Sequence, residues 1–156
     1  MTRKTNQSFI VLVAVIGVVS NGCAAHRSNV SNKNPVVEQG ATERRRVHFD
    51  FDKSEIRHQD KSALDDVATK LQRDKKSIAI LEGHADQIGD SQYNEVLSEN
   101  RARAVRVYLR DQGADPRRMT MTSKGEREPL VKGRGRNELQ ENRRVDVILT
   151  LTREEK

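Results

Sequence analysis

At 156 residues, 34% hydrophobic and 33% charged, with three Phe, two Tyr and no Trp, the chain has apolar material for one small core and not for two. A formal net charge of +6 favours acidic partners (nucleic acid, anionic headgroups or carboxylate-bearing polymers) without choosing among them. A single cysteine excludes an intramolecular disulfide.

Arg3 and Lys4 precede an uninterrupted apolar run from Phe9 to Val19. As a helix this run covers about half of a bilayer's hydrocarbon core of about 30 Å, so it reads as the apolar part of a signal peptide over residues 1–22 rather than a transmembrane helix. Cys23 follows at the place where bacterial lipoproteins are acylated. Ser20 and Asn21 depart from the Leu and the small residue such signals carry, and Cys23-Ala24-Ala25 also satisfies ordinary signal-peptidase cleavage. Residues 23–43, rich in Ser, Asn, Gly and Pro, read as a flexible tether to a domain over residues 44–156.

Val47, Phe49 and Phe51 alternate with His48, Asp50 and Asp52, which predicts a half-buried strand. Ser54 is the candidate cap for a helix whose buried face is Leu64, Val67, Ala68 and Leu71. Ser77–Gly83 is a second strand, apolar on both faces over IAIL and therefore placed centrally. After a loop containing Gly89, Asp90 and Ser91 are candidate N-caps of a long helix. Tyr93, Val96, Leu97, Ala104, Val105, Tyr108 and Leu109 mark its inner face, and it stops at Gly113. Arg117–Lys124 is a third strand, residues 128–136 a loop punctuated by Pro129, Gly133 and Gly135, and Val145, Val147, Leu149 and Leu151 one face of a fourth strand. The order βαβαββ predicts an α/β sandwich: a mixed four-stranded sheet with two helices packed on one face.

Asp86 lies just beyond the central strand and Arg101 fifteen residues later in the long helix. Opposite charges at a strand end and on a helix face suit a zwitterionic ligand: the carboxylate meets an ammonium and the guanidinium a carboxylate. On spacing alone, a structural ion pair between Asp86 and Arg101 is an equal reading. The four histidines lack metal-ligand spacing; His48 and His84 could neighbour each other on adjacent strands, but two imidazoles make no metal site, and neither metal nor cofactor is expected. Asp50 and Asp52 read as a solvated pair rather than a glycosidase pair. The domain has no cysteine nucleophile, zinc ligand set or Ser-His-Asp order, so catalysis is not expected. Few aromatics are available to stack bases, which argues against nucleic acid. The basic runs Arg44–Arg46 and Lys132–Arg136 read as solvated faces that raise encounter rates with anionic polymers.

Four blocks fall in order: VHFDFDKSEIR (Val47–Arg57), GHADQIGDSQYNEVLSENRARAV (Gly83–Val105), SKGEREP (Ser123–Pro129) and NRRVDV (Asn142–Val147). In these the chain resembles the OmpA-like peptidoglycan-binding domain family, shared by outer-membrane protein A and the peptidoglycan-associated lipoprotein; Ala85 and the apparent lipid signal bring it nearer the lipoprotein branch. The resemblance implies noncovalent binding of diaminopimelate in the peptide stems of peptidoglycan. Asp86 and Arg101 would hold its ammonium and carboxylate, and Asn94 would line the same groove. Arg143, Phe51 and Asp52 are further carry-overs. Asp86 and Arg101 are accordingly expected at a pocket surface, outside the core. The resemblance also implies a lipid anchor on Cys23 in the outer membrane, a domain facing the periplasm, tethering of that membrane to the cell wall, and contacts with Tol-system proteins, TolB above all. Without the anchor the protein would be soluble and periplasmic. The alternative function is an envelope protein–protein interaction module of the same fold that does not bind peptidoglycan.

Overall fold

A computed structural model describes residues 41–151. The signal peptide, Cys23 and nearly all of the tether lie outside those residues. In chain order the elements are β1 (Thr42–His48), α1 (Lys61–Arg73), β2 (Ile78–Gly83), α2 (Ser91–Asp111), β3 (Met119–Ser123), α3 (Arg136–Asn142) and β4 (Arg144–Thr150), with short 3-10 turns at His58–Asp60 and Pro116–Arg118. The sheet order is β1-β4-β2-β3; β4 is antiparallel to both neighbours and β2 is parallel to β3. β1 begins inside the stretch read as tether.

One sheet face is apolar because alternate residues come into register across the strands: Val47, Val145, Gly83 and Ser123 in one row, then Val147, Leu81 and Met121, then Leu149, Ala79 and Met119. Leu64, Val67, Ala68 and Leu71 of α1 join Ala102, Val105 and Leu109 of α2 on this face in one continuous core. Gly83 allows α2 to lie close against β2: a Cβ there would sit 2.0 Å from the Ser98 carbonyl oxygen. The helix ends in a Schellman motif, with Gly113 at φ +91°, its N–H on the Arg110 carbonyl (2.8 Å) and the Ala114 N–H on that of Leu109 (3.0 Å).

The opposite face carries charge. Buried Asp146 accepts from Arg44, Arg46 and Arg144, each at 3.2 Å. This explains how β4 buries Arg144 and Asp146 alongside its valines.

Four expectations are corrected. β2 is central because β4 inserts between it and β1, not because both its faces are apolar; Ile78 is 47% exposed. β1 stops at His48, and Phe51 sits in a turn where Asp52 adopts φ +56°, a left-handed conformation that Asp tolerates better than most residues. α1 starts at Lys61 after Asp60, well beyond Ser54. A short helix of seven residues, α3, occupies part of the connection between β3 and β4, where its buried residues are Leu139 and Asn142. The mixed four-stranded sheet with α1 and α2 on one face stands, with α3 added.

Candidate functional site

Three segments meet beyond the C-terminal end of β2: the turn at residues 50–53, the loop at 84–90 and the first half of α2. They enclose a cleft of about 240 Å³ whose walls include Phe51, Asp52, Asp86, Ile88, Tyr93, Asn94 and Arg101. Asp90 fixes the start of α2; it is extended (φ −81°, ψ 142°) and its carboxylate accepts the N–H groups of Gln92 (2.8 Å) and Tyr93 (3.3 Å).

Arg101 is the organising group. It is fully buried and lies 5.4 Å from the Phe49 ring centroid. Its Nε donates to the Lys53 carbonyl (2.9 Å), Nη1 to that of His84 (2.9 Å) and Nη2 to that of Asp50 (3.2 Å). One side chain thus joins the turn, the loop and the helix, supplying donors to carbonyls that no ladder satisfies. Burial pushes its pKa down to about 10, with Asp86 opposing the shift, so it remains a cation at neutral pH. The expectation that Arg101 and Asp86 lie outside the core is corrected: both are buried.

Asp86 is held from two sides. One oxygen accepts the Ile88 N–H (3.0 Å), the other Nη1 of Arg143 (2.9 Å). Its ion-pair partner is therefore Arg143, not Arg101. Arg143 is in turn fixed by the Phe49 carbonyl (3.3 Å) and by Gln140. Asn94 donates to the Ile88 carbonyl (3.2 Å) and to Glu126 (2.6 Å), bracing the loop against the helix. Across the mouth, the Tyr93 hydroxyl donates to Asp52.

Of the six residues singled out for ligand contact, Asp86, Arg101, Asn94, Phe51 and Asp52 line the cleft, while Arg143 stands behind Asp86. Reading α2 by its apolar residues places Tyr93 and Val96 on the wrong side: Tyr93 is 51% exposed on the cleft wall and Val96 is 52% exposed. The usable signal was polar: Asn94, Ser98 and Arg101 recur at i, i+4, i+7 and form the buried stripe.

On the charged sheet face, Glu82, His84 and Asp146 bring ligand atoms within 4.8 Å of one another. A cation there would compete with the three arginines already on Asp146, so the donor set does not fit a metal. His48 and His84 are separated by β4: His48 is paired with Arg144, whose carbonyl accepts the His84 N–H (2.9 Å). Burial, reinforced by Arg144, pushes His84 down to about 4.

Fold and cleft together define a small α/β domain whose central strand leads into a pocket with opposite charges on its walls. The OmpA family profile matches residues 48–143. Outer membrane protein A of Bordetella avium is 35% identical over 105 residues, covering 67% of this chain and 54% of the relative. The peptidoglycan-associated lipoprotein of Pseudomonas aeruginosa is 35% identical over 100 residues, 64% of this chain and 59% of the relative. Among solved structures, the peptidoglycan-associated lipoprotein from Burkholderia pseudomallei superposes with a TM-score of 0.66 at 31% identity, covering 67% of this chain and 89% of that one. The C-terminal domain of Helicobacter pylori MotB gives 0.62 at 20% identity, over 67% and 83%, a likeness of fold alone. The chain belongs to the OmpA family. It spans between half and two thirds of the length of these curated relatives.

Proposed function

We propose that the cleft binds the diaminopimelate of peptidoglycan stems noncovalently and without catalysis, and that the protein so links the cell envelope to its wall. The observation that carries this reading is the pairing of poles in one small space: carboxylates of Asp52 and Asp86 and the guanidinium of Arg101 all border the same cleft. An amino acid side chain ending in both an ammonium and a carboxylate is complementary to that arrangement. Burial of Asp86 and Arg101 strengthens their attractions by lowering the local dielectric. Arg143 and the Ile88 N–H hold the Asp86 carboxylate in place, so the acceptor is preorganised. The names of relatives in the family add support. Among the described residues no helix is long and apolar enough to cross a membrane. We assign retention at the outer membrane to acylated Cys23, and contact with TolB as a further role.

The test is calorimetric titration of the full chain with two stem peptides, one containing diaminopimelate and one containing lysine, which lacks the second carboxylate. The diaminopimelate stem should bind, and the lysine stem should bind far more weakly. Asp86→Asn should lower affinity by roughly thirty- to several-thousand-fold. Equal binding of the two stems would overturn the reading.

A further inference from the structure

The basic run at residues 132–136 has no part in the cleft as described so far. Lys132, Arg134 and Arg136 are all exposed. Almost everywhere else the guanidiniums are engaged. Among the described residues, the arginines that make no hydrogen bond or ion pair are Arg73, Arg134 and Arg136; the others reach carboxylates, carbonyls or other side chains. Two of those three free guanidiniums therefore fall within three consecutive residues, beside a free lysine.

The loop that carries them is anchored. Asn142, itself buried, accepts the N–H groups of Leu130 (2.8 Å) and Val131 (3.0 Å) and donates to the Val131 carbonyl (2.9 Å). Gln87 donates through its side-chain amide to the Gly133 carbonyl. Gln87 lies between Asp86 and Ile88, both of which line the cleft, so this bond ties the basic loop to the cleft's rim. Glu138 folds its carboxylate over Gly135 and offsets one of the three charges. An excess of positive charge is thus held next to a pocket that is itself balanced between carboxylates and guanidiniums.

Resting on the diaminopimelate reading above, we propose that this loop is a second subsite for the same polymer, taking a free carboxylate one or two residues along the stem from the diaminopimelate in the cleft. Each residue of an extended stem advances about 3.3–3.6 Å, so neighbouring carboxylates fall within reach of long side chains at the rim. Arginine suits the task, since its planar fork matches a carboxylate. Because the subsite is exposed, its attraction is screened by salt, in contrast to the buried poles of the cleft.

The test uses the full chain and three probes: free meso-diaminopimelate, a diaminopimelate-containing stem peptide with its flanking carboxylates free, and the same peptide with those flanking carboxylates as primary amides. At low ionic strength the wild type should prefer the free acid by about tenfold, the product of exposed ion pairs each contributing modestly. Lys132→Gln/Arg134→Gln/Arg136→Gln should bind both peptides alike, at the affinity of the amide, while its affinity for free diaminopimelate stays at the wild-type value. Raising the salt to about 1 M, where the screening length is about 3 Å, should erase the wild-type preference. Arg134→Glu, a single exposed change, should turn the preference toward the amide and guards against a folding defect in the triple variant. Wild type that binds free diaminopimelate but shows no acid-over-amide preference, or a triple variant that keeps that preference, would overturn the subsite and leave the cleft reading intact. Wild type that binds none of the three probes would sink both.

Discussion

The two halves of α2 bury themselves by different chemistry. From Ala102 onward the helix places Ala102, Val105 and Leu109 in the apolar core shared with α1 and the sheet. Up to Arg101 it buries Asn94, Ser98 and Arg101, whose partners are backbone carbonyls, Glu126, the Ser123 hydroxyl and the Gly125 N–H. Apolar burial is non-directional and fixes how firmly the helix is held. The polar half is directional, so it also fixes where the turn at 50–53 and the loop at 84–90 stand. That half borders the cleft. A helix continuous in backbone thus divides its work: one end supplies stability, the other geometry.

Substitutions in the two halves should separate these roles. The largest effect is expected from Arg101→Leu, which strips the buried His84 carbonyl of its guanidinium donor and unties the turn carbonyls of Asp50 and Lys53 from the helix. It should cost about 4–5 kcal/mol in urea denaturation and abolish stem-peptide binding together with it. Leu109→Ala should cost about 3 kcal/mol through the cavity it leaves, while the folded fraction binds with wild-type affinity. Equal losses of affinity in the two variants would erase the distinction.

A comparable stability effect is expected from acid. His84 is neutral in the folded state because burial and Arg144 hold its pKa at about 4, whereas the unfolded chain takes up that proton near pH 6.5. The folded pKa is the lower one, so the unfolded state binds more protons between these values and stability falls as pH drops from about 6.5 to about 4. The loss should be on the order of 3 kcal/mol by pH 4. His84→Gln should flatten that part of the profile, which is read as the difference between the urea-midpoint curves of the two proteins. The smallest effect belongs to Asp90→Ala. Removing the cap should cost about 1 kcal/mol and, because it frees the N-terminal turn that carries Tyr93 and Asn94, should weaken stem binding more than an equally destabilising change in the apolar half.

These differences also explain what could be read from the sequence. Leu64, Val67, Ala68 and Leu71, the alternation in β4, and Val105 and Leu109 all announce themselves by period, since burial there is apolar. Asp86, Asn94 and Arg101 were found as candidates from charge, spacing and family likeness, but their surroundings were not legible. Nothing in the pattern tells that Arg101 answers to three carbonyls, or that Asp86 pairs with Arg143. Such bonds depend on how distant backbone segments meet. Phe51 continues the alternation of Val47 and Phe49, yet Asp52 turns the chain and sets Phe51 on the cleft, 58% exposed. α3 was missed because its neighbours Gly133 and Gly135 are strong breakers and its burial rests on Leu139 and Asn142, too few to show a period.

β1 runs from Thr42 to His48 and then hands the chain directly to Phe49 and the turn that Arg101 holds, so the strand's first residue and the cleft lie at opposite ends of the same edge strand. A pull between a ligand in the cleft and any attachment ahead of Thr42 would act along that strand. The seven pairs that join β1 to β4, from Thr42 opposite Thr150 to His48 opposite Arg144, would then be loaded side by side in shear. A ladder sheared this way yields only when many bonds give together, whereas one peeled from its end surrenders them singly. Under such a load the sheet's edge would carry tension without first unzipping.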